Sequence, residues 1–324
     1  MREKHDENAL VKRIERELRC SQRDSLTLAL GDDGALWNAK QGHEIILTCD
    51  WFLEGSHFLR AKHPPDSVGW KCLARAVSDI AAMGGAPRCF LLSLALPSTL
   101  TGEWLQQFLG GLRRASRTLR CRLAGGDTTR QEKVLICVTV VGEVRKGSAA
   151  LRSGARPGDI LFVSGTLGEA DLGLRQLRKQ RGFARATNAA LRKHLYPRPR
   201  VVLGQWLAQN RLATAMMDLS DGLSTDLPRL CAASGVGATI CVASLPSTPL
   251  AKPADAANLA LHGGDDYELL FAVSPSKRHR VPRQFHGVKL TDIGTIAAER
   301  KIVHTEKEKT SPLISRGWDP FRAR

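Results

Sequence analysis

No apolar run in this chain approaches the roughly 20 residues that a membrane-spanning helix requires. One of the longest, Val134–Val141, is less than half of that. The opening MREKHDENAL is too polar for a secretory signal. Eight cysteines occur without a C-x-x-C pair, and several sit in apolar stretches such as Leu135–Thr139. They read as reduced core residues of a cytoplasmic protein, which sets aside a zinc ribbon, a membrane protein and a secreted disulfide scaffold. Aromatic residues are scarce at 5%, and the basic clusters Arg175–Arg185 and Lys277–Arg283 do not interleave them as stacking platforms. No RNP motif, zinc finger or helix-turn-helix pattern occurs. Acidic residues are outnumbered, 32 to 48, for a net charge of +16. That excess reads as a solvated basic surface that attracts small anionic substrates, and no nucleic-acid partner is expected.

Familiar catalytic signatures are missing as well. There is no G-x-x-x-x-G-K-[ST], so the chain is not a P-loop enzyme. The protein-kinase set of H-R-D, D-F-G and a glycine-rich loop is absent, as are H-E-x-x-H and a G-x-S-x-G elbow. SGVGAT (234–239) lacks the last glycine of G-x-G-x-x-G and follows a helical segment.

What is present is a globular composition, 43% hydrophobic and 25% charged, on a length that suits two domains. Residues 7–19 space Leu10, Val11, Ile14 and Leu18 as an amphipathic helix. HEIILTCD (43–50) is a β-branched strand ending in Asp50. Residues 64–85 form a helix with Val68, Cys72, Ala76 and Ile80 on one face, stopped by Gly84–Gly85. FLLSLALP (90–97) and VLICVTVVGEV (134–144) are strands, with a helix near 101–119. The Gly-, Ser- and Pro-rich stretch 146–159 marks a boundary between domains at 1–148 and 149–324. Beyond it come the strand ILFVSG (160–165), a long basic helical region to His194, and a break at YPRPR (196–200). TAMMDLSDGL (214–223) runs from strand into helix, and GGDDYELLFAV (263–273) is a turn followed by a strand. The class is α/β or α+β, without the strict alternation of a Rossmann sheet.

Against a basic background, carboxylates gather beside glycines in turn-like segments. They are Asp32 and Asp33 in GDD, Asp50 in TCD, Asp79 in SDIAAMGG and Asp127 in GGDTTR. Asp218 and Asp221 follow in MDLSDGL, then Asp265 and Asp266 in GGDDYELL. Hard divalent cations take oxygen ligands, and Mg²⁺ is typically held by one or two carboxylates plus substrate phosphates. Any one Gly-Asp pair is an ordinary turn, and Asp171 and Asp226 read as no more than turn or capping residues. Six such blocks in one chain point to a multi-metal phosphate site. His57, in EGSHF, reads by itself as a core or surface histidine.

GDDGA, TCDWFLEGSHF, SDIAAMGG, GGDTTR, RSGARPGD, SGTLGEADLGL, PRPRVVLG, MDLSDGLSTDL, GGDDYELLF and IGTI stand in the order found in the thiamine-monophosphate kinase family. That family belongs to the superfamily of aminoimidazole ribonucleotide synthetase. The resemblance spans residues 31 to 294 and implies a two-domain fold of that superfamily. It implies an N-terminal ATP/Mg²⁺-binding domain whose sheet pairs into a barrel across a homodimer, and a C-terminal α/β domain. It implies ATP-dependent phosphorylation of thiamine monophosphate to thiamine diphosphate with several Mg²⁺ ions. Carried over by motif, the metal ligands are Asp33, Thr48, Cys49, Asp50, Asp79, Asp127, Asp218 and Asp221. ATP is expected at Gly126, Asp127, Arg152 and Ser220, and thiamine monophosphate at His57, Asp265 and Trp318. No general base is expected, because the acceptor phosphate is already an anion.

Three positions depart from the family pattern. Cys49 stands where a second hydroxyl residue is usual; a thiol is a poor Mg²⁺ ligand, so it serves through its backbone carbonyl or not at all. Asp265 replaces a glutamate one methylene longer, and Ala76 replaces an asparagine. Two other readings are a sister enzyme with a different acceptor, and a non-catalytic anion- or nucleic-acid-binding protein on a retired enzyme fold. Cys20, the one early cysteine, lies outside any glycine-rich motif, which counts against a selenophosphate synthetase.

Overall fold

The computed structural model describes residues 7–18, 25–29, 34–307 and 309–322. The chain forms two compact units. Unit 1 holds residues 1–80, 86–147 and 180–185, and unit 2 holds 81–85, 148–179 and 186–324.

Unit 1 opens with α1 (Glu7–Leu18), which buries Ile14 and Leu18. A short ladder of β1 (Leu26–Leu28) and β2 (Leu36–Trp37) follows. Next come β3 (His43–Leu53), α2 (Pro65–Ala82), β4 (Ala86–Leu96), α3 (Glu103–Leu119), β5 (Arg122–Arg130) and β6 (Leu135–Arg145). The four long strands form one sheet in the order β3-β6-β4-β5, with only β4 and β5 parallel. Side chains alternate between its faces. Phe52, Ile136, Val138, Leu92 and Leu94 share the buried face, and α2 buries Val68, Cys72, Ala76 and Ile80, the stripe its spacing predicts. On the other face Ile45, Leu47, Trp51 and Leu91 are exposed, Leu47 by 70% and Trp51 by 55%. This sheet is open: among the described residues no strand closes it into a barrel.

Unit 2 contains β7 (Ile160–Ser164), α4 (Glu169–Lys179), α5 (Ala189–Leu195), α6 (Val201–Gln209), β8 (Ala213–Leu219), α7 (Leu223–Ser234), β9 (Gly237–Cys241) and α8 (Pro253–His262). It continues with β10 (Glu268–Val273), β11 (Gln284–Phe285), β12 (Val288–Ala297), β13 (Ile302–Glu306) and β14 (Lys309–Pro312). The sheet order is β14-β13-β9-β12-β7-β10-β8, with β11 on β12 and only β13–β9 parallel. Alternation gives it two cores. Leu161, Val163, Met217 and Leu270 pack with Leu223, Leu227 and Leu230 of α7 on one side. Phe162 and Phe271, stacked at 5.4 Å, pack with Leu203 and Leu207 of α6 on the other.

The structure corrects three sequence expectations. GGDTTR is not a turn; it lies inside β5. The strand expected to end at Asp50 runs on to Leu53. The basic helical region to His194 is two helices, interrupted over 180–188, because Asn188 starts α5 afresh by accepting the Leu191 amide at 3.0 Å. Among the described residues no helix is long and apolar enough to cross a membrane.

Candidate functional site

In unit 1, β3 and α2 bring the side-chain oxygens of Thr48 and Asp79 together. The Thr48 hydroxyl donates to Asp79 Oδ2. Asp50, two residues on and therefore on the same face as Thr48, has Oδ2 3.9 Å from Arg75 Nε. Arg75 lies one helical turn before Asp79, an i,i+4 spacing, and its guanidinium covers the Phe52 ring at 5.2 Å. Cys49 alternates to the opposite face, where its sulfur sits 3.2 Å from Cys137 Sγ. Burial and this contact with Cys49 push the Cys137 thiol up to about 12. The Cys49 sulfur is thus aimed away from Thr48 and Asp50. His57 closes the turn after β3 by accepting the Leu53 amide on Nδ1 at 3.0 Å.

Asp127 stands apart. The register runs Asp127–Ser93–Cys137–Trp51 across the sheet, which places it on the edge opposite β3 and on the exposed face. Its neighbour Gly126 permits that strand pairing, since a Cβ there would stand 1.9 Å from the Leu92 carbonyl oxygen.

In unit 2 three loops interlock around the S-D-G turn. Asp218 is buried at the end of β8. Asp221 is held at three points: its amide donates to Asp226 Oδ2 at 2.9 Å, its carbonyl accepts the Trp318 amide at 2.9 Å, and its Oδ2 accepts Arg229 Nη1 at 2.6 Å. Asp226 also accepts the Gly222 amide and Arg229. Burial, reinforced by Asp221, pushes its carboxyl up to about 7. Asp226 lies inside α7, whose N-cap is Gly222, and its carboxyl ties down the two amides that precede the helix. The Ser220 carbonyl accepts the Asp265 amide at 2.7 Å. Asp265 and Tyr267 both take left-handed backbone, with φ of 68° and 50°, and the Tyr267 hydroxyl donates to Asp265 Oδ1 at 2.8 Å. Left-handed backbone in non-glycine residues persists where the surroundings over-determine it. Arg152 is exposed, and its carbonyl accepts the Ser234 hydroxyl at 3.1 Å.

Beneath the Asp265 loop lies a buried charge network. Glu268, fully buried, accepts Arg200 in a two-pronged contact (2.7 and 2.5 Å), Lys193 at 2.9 Å and the Ser164 hydroxyl at 2.6 Å. Burial alone would raise its pKa, but Lys193 and Arg200 overrule it and hold the carboxyl below its ordinary value. Asp266 accepts the Gly168 and Ala170 amides at the start of α4 and lies 3.6 Å from Lys193. Burial wins there, raising it to about 6.

The structure thus gathers Thr48 with Asp79 and Asp50 with Arg75 in unit 1. In unit 2 it gathers Ser220, Asp221, Asp265 and Trp318. Asp127 joins neither group, and Asp33, with Asp32, lies outside the described residues. Among the described residues no three His, Cys, Asp or Glu side chains gather closely enough to hold a metal by themselves. Carboxylates in ones and twos could hold Mg²⁺ only with substrate phosphates and water completing its shell. Sequence reasoning missed Arg75, Arg229 and the Lys193–Arg200–Glu268 network. The i,i+4 spacing of Arg75 and Asp79 was a usable signal; the network's partners lie 68 or more residues from Glu268 and left none.

Comparison with known proteins accounts for both units. The N-terminal domain of AIR synthase related protein matches residues 31–144, and its C-terminal domain matches 156–307. The thiamine-monophosphate kinase of Escherichia coli K12 is 38% identical over 301 residues, 90% of this chain and 91% of its own. Among solved structures, the thiamine-monophosphate kinase of Stenotrophomonas maltophilia K279a superposes with a TM-score of 0.81 at 34% identity, covering 93% of this chain and 97% of its own. AaThiL, solved in complex with AMPPCP and TMP, superposes at 0.76 with 32% identity and 97% coverage of each chain.

Proposed function

The chain belongs to the thiamine-monophosphate kinases of the AIR synthase related family, and from that premise we propose how its residues phosphorylate thiamine monophosphate. ATP is the donor. A phosphate oxygen of thiamine monophosphate attacks the γ-phosphorus in line, the new O–P bond forms as the bond to the β-bridging oxygen breaks, and ADP leaves. The attacking oxygen is largely ionised at neutral pH, as the second pKa of about 6 for a phosphate monoester requires. No side chain needs to remove a proton. The task is to bring two polyanions together and hold them in line. The observation that carries this reading is a match over 90% or more of the chain, running through both units.

Thr48, Asp50, Asp79, Asp218 and Asp221, with Asp33, and Asp127, which stands apart on the other face of the unit 1 sheet, would hold Mg²⁺. The donors fit: they are carboxylates and a hydroxyl, and the one thiol among the candidates turns away. When bound, the ions offset the repulsion between the phosphates and neutralise charge on the β,γ oxygens. Gly126, Asp127, Arg152 and Ser220 serve ATP; His57, Asp265 and Trp318 face the thiamine phosphate. Asp265 is a methylene shorter than the family's glutamate, and its left-handed backbone and the Tyr267 hydrogen bond fix where that shorter carboxylate points.

The same reading includes a homodimer in which the unit 1 sheets pair into a barrel. The support is the open sheet face bearing Leu47, Trp51, Ile45 and Leu91, since apolar side chains massed on one face mark an interface. Leu47→Glu with Trp51→Glu is expected to convert the protein to monomer in sedimentation equilibrium; an unchanged mass would reject this pairing. The enzyme is placed in the cytoplasm, which the seven free cysteines among the described residues support.

The direct test is to incubate the purified chain with ATP, Mg²⁺ and thiamine monophosphate and to measure thiamine diphosphate as its thiochrome. Product that disappears with EDTA is the expected result. ATP binding without product would turn attention to a sister enzyme with another acceptor.

A further inference from the structure

The C-terminal stretch 313–318 is tied to β13, to the first turn of α7 and, at its end, to the S-D-G turn. Leu313 donates to the Ile302 carbonyl at 2.9 Å. Ser315 Oγ pairs with Thr225 Oγ1 at 2.9 Å, and the Arg316 amide reaches Ser224 Oγ at 3.3 Å. Ser224 is itself buried and bonded to His262 Nδ1 at 2.8 Å, so the stretch rests on a fixed floor. The Trp318 amide then donates to the Asp221 carbonyl. Between these last contacts lies Gly317, so close to the turn that a Cβ would stand 2.0 Å from the Asp221 carbonyl oxygen and 2.5 Å from Thr225 Oγ1. Two of the three points that hold Asp221 come from α7, through Asp226 and Arg229; the third comes only from this stretch.

We propose that residues 313–318 are a strap that positions Asp221, with Gly317 as the positioning residue that couples the substrate-side Trp318 to the metal- and nucleotide-side Asp221. The inference rests on the roles given to Trp318 and Asp221 above, and it adds that the two cannot move independently. Seating Trp318 against the thiamine phosphate holds the Asp221 peptide in place, and displacing the Asp221 peptide unseats Trp318. A methyl group at 317 forces both apart, because the obstruction is backbone oxygen and not a flexible side chain.

The test compares wild type, Gly317→Ala and Trp318→Ala by titration calorimetry with MgADP alone and with thiamine monophosphate alone. Gly317→Ala is expected to weaken both ligands about tenfold. Trp318→Ala is expected to weaken thiamine monophosphate about as much and to leave MgADP within about twofold. Unchanged MgADP affinity in Gly317→Ala, or equal loss of MgADP in both variants, overturns the coupling. If Gly317→Ala does not fold, Ser315→Ala decides the matter, since it removes one strap hydrogen bond without a clash. It is expected to weaken both ligands about twofold to threefold, and a shift in one ligand only, or in neither, overturns the proposal. A wild-type chain that binds both ligands but makes no thiamine diphosphate would instead count against the assigned reaction and leave the coupling measurable.

Discussion

Asp79→Asn is expected to lower kcat/KM for thiamine monophosphate about a thousandfold, about 4 kcal/mol of transition-state stabilisation, with melting almost unchanged. Asparagine keeps the volume of the side chain, and its carbonyl oxygen can still accept the Thr48 hydroxyl. What it loses is the charge, in a reaction whose difficulty is electrostatic. Asp50→Asn is expected to behave alike, with Arg75 losing its 3.9 Å partner. Cys49→Ser is the contrast: its sulfur faces Cys137 on the other side of β3, and turnover is expected to stay within about threefold of wild type. Initial rates of thiamine diphosphate formation across a Mg²⁺ titration check all three. Near-wild-type rates for both aspartate variants at limiting Mg²⁺ would remove these carboxylates from the metal set.

The family was legible in the order of the motif blocks, and much of the local structure in periodicity. The face Val68, Cys72, Ala76, Ile80 is buried as spaced, and Leu223, Leu227, Leu230 and Cys231 form the inner stripe of α7. Gly235 caps that helix with left-handed backbone at φ 68°. Local composition misled where a residue serves a distant neighbour. Gly-Gly-Asp-Thr-Thr-Arg has the composition of a turn, yet Gly126 is there because β4 approaches too closely for a Cβ. The same limit hid the C-terminal strap: nothing local to Ser-Arg-Gly-Trp says that its glycine abuts Asp221, 96 positions earlier. The parallel pairing of β13 with β9 joins segments some 60 residues apart and leaves no periodic trace.

Glu268 is the extreme case, a carboxylate at the head of a wholly apolar strand, and replacing it is expected to have the largest effect on stability. Glu268→Gln keeps the shape and the Ser164 hydrogen bond but strands Arg200 and leaves Lys193 with Asp266, 3.6 Å away, as its remaining carboxylate; the two cationic side chains are only 23% and 13% exposed. Removing one partner of a buried ion pair costs about 3–5 kcal/mol, and in a unit of this size melting falls by about 10 °C. The pH dependence carries the sign. The folded pKa lies below the ordinary value of 4.5, so the stabilisation is complete at neutral pH. It is lost only as pH falls below that ordinary value and through the lower folded one. Wild-type and Glu268→Gln melting curves should therefore stand well apart at pH 7 and converge only in strongly acidic buffer. Replacing all three charges together, by Lys193→Met, Arg200→Met and Glu268→Leu, removes both cations along with their anion; Asp266, left without Lys193 at 3.6 Å, takes up a proton, and the triple variant is expected to recover part of the lost stability. Separate melting of the single and triple variants decides whether the network's value lies in the charges themselves or in their never being left alone. If Glu268→Gln melts within about 2 °C of wild type at pH 7, the buried pairing does not hold this unit together.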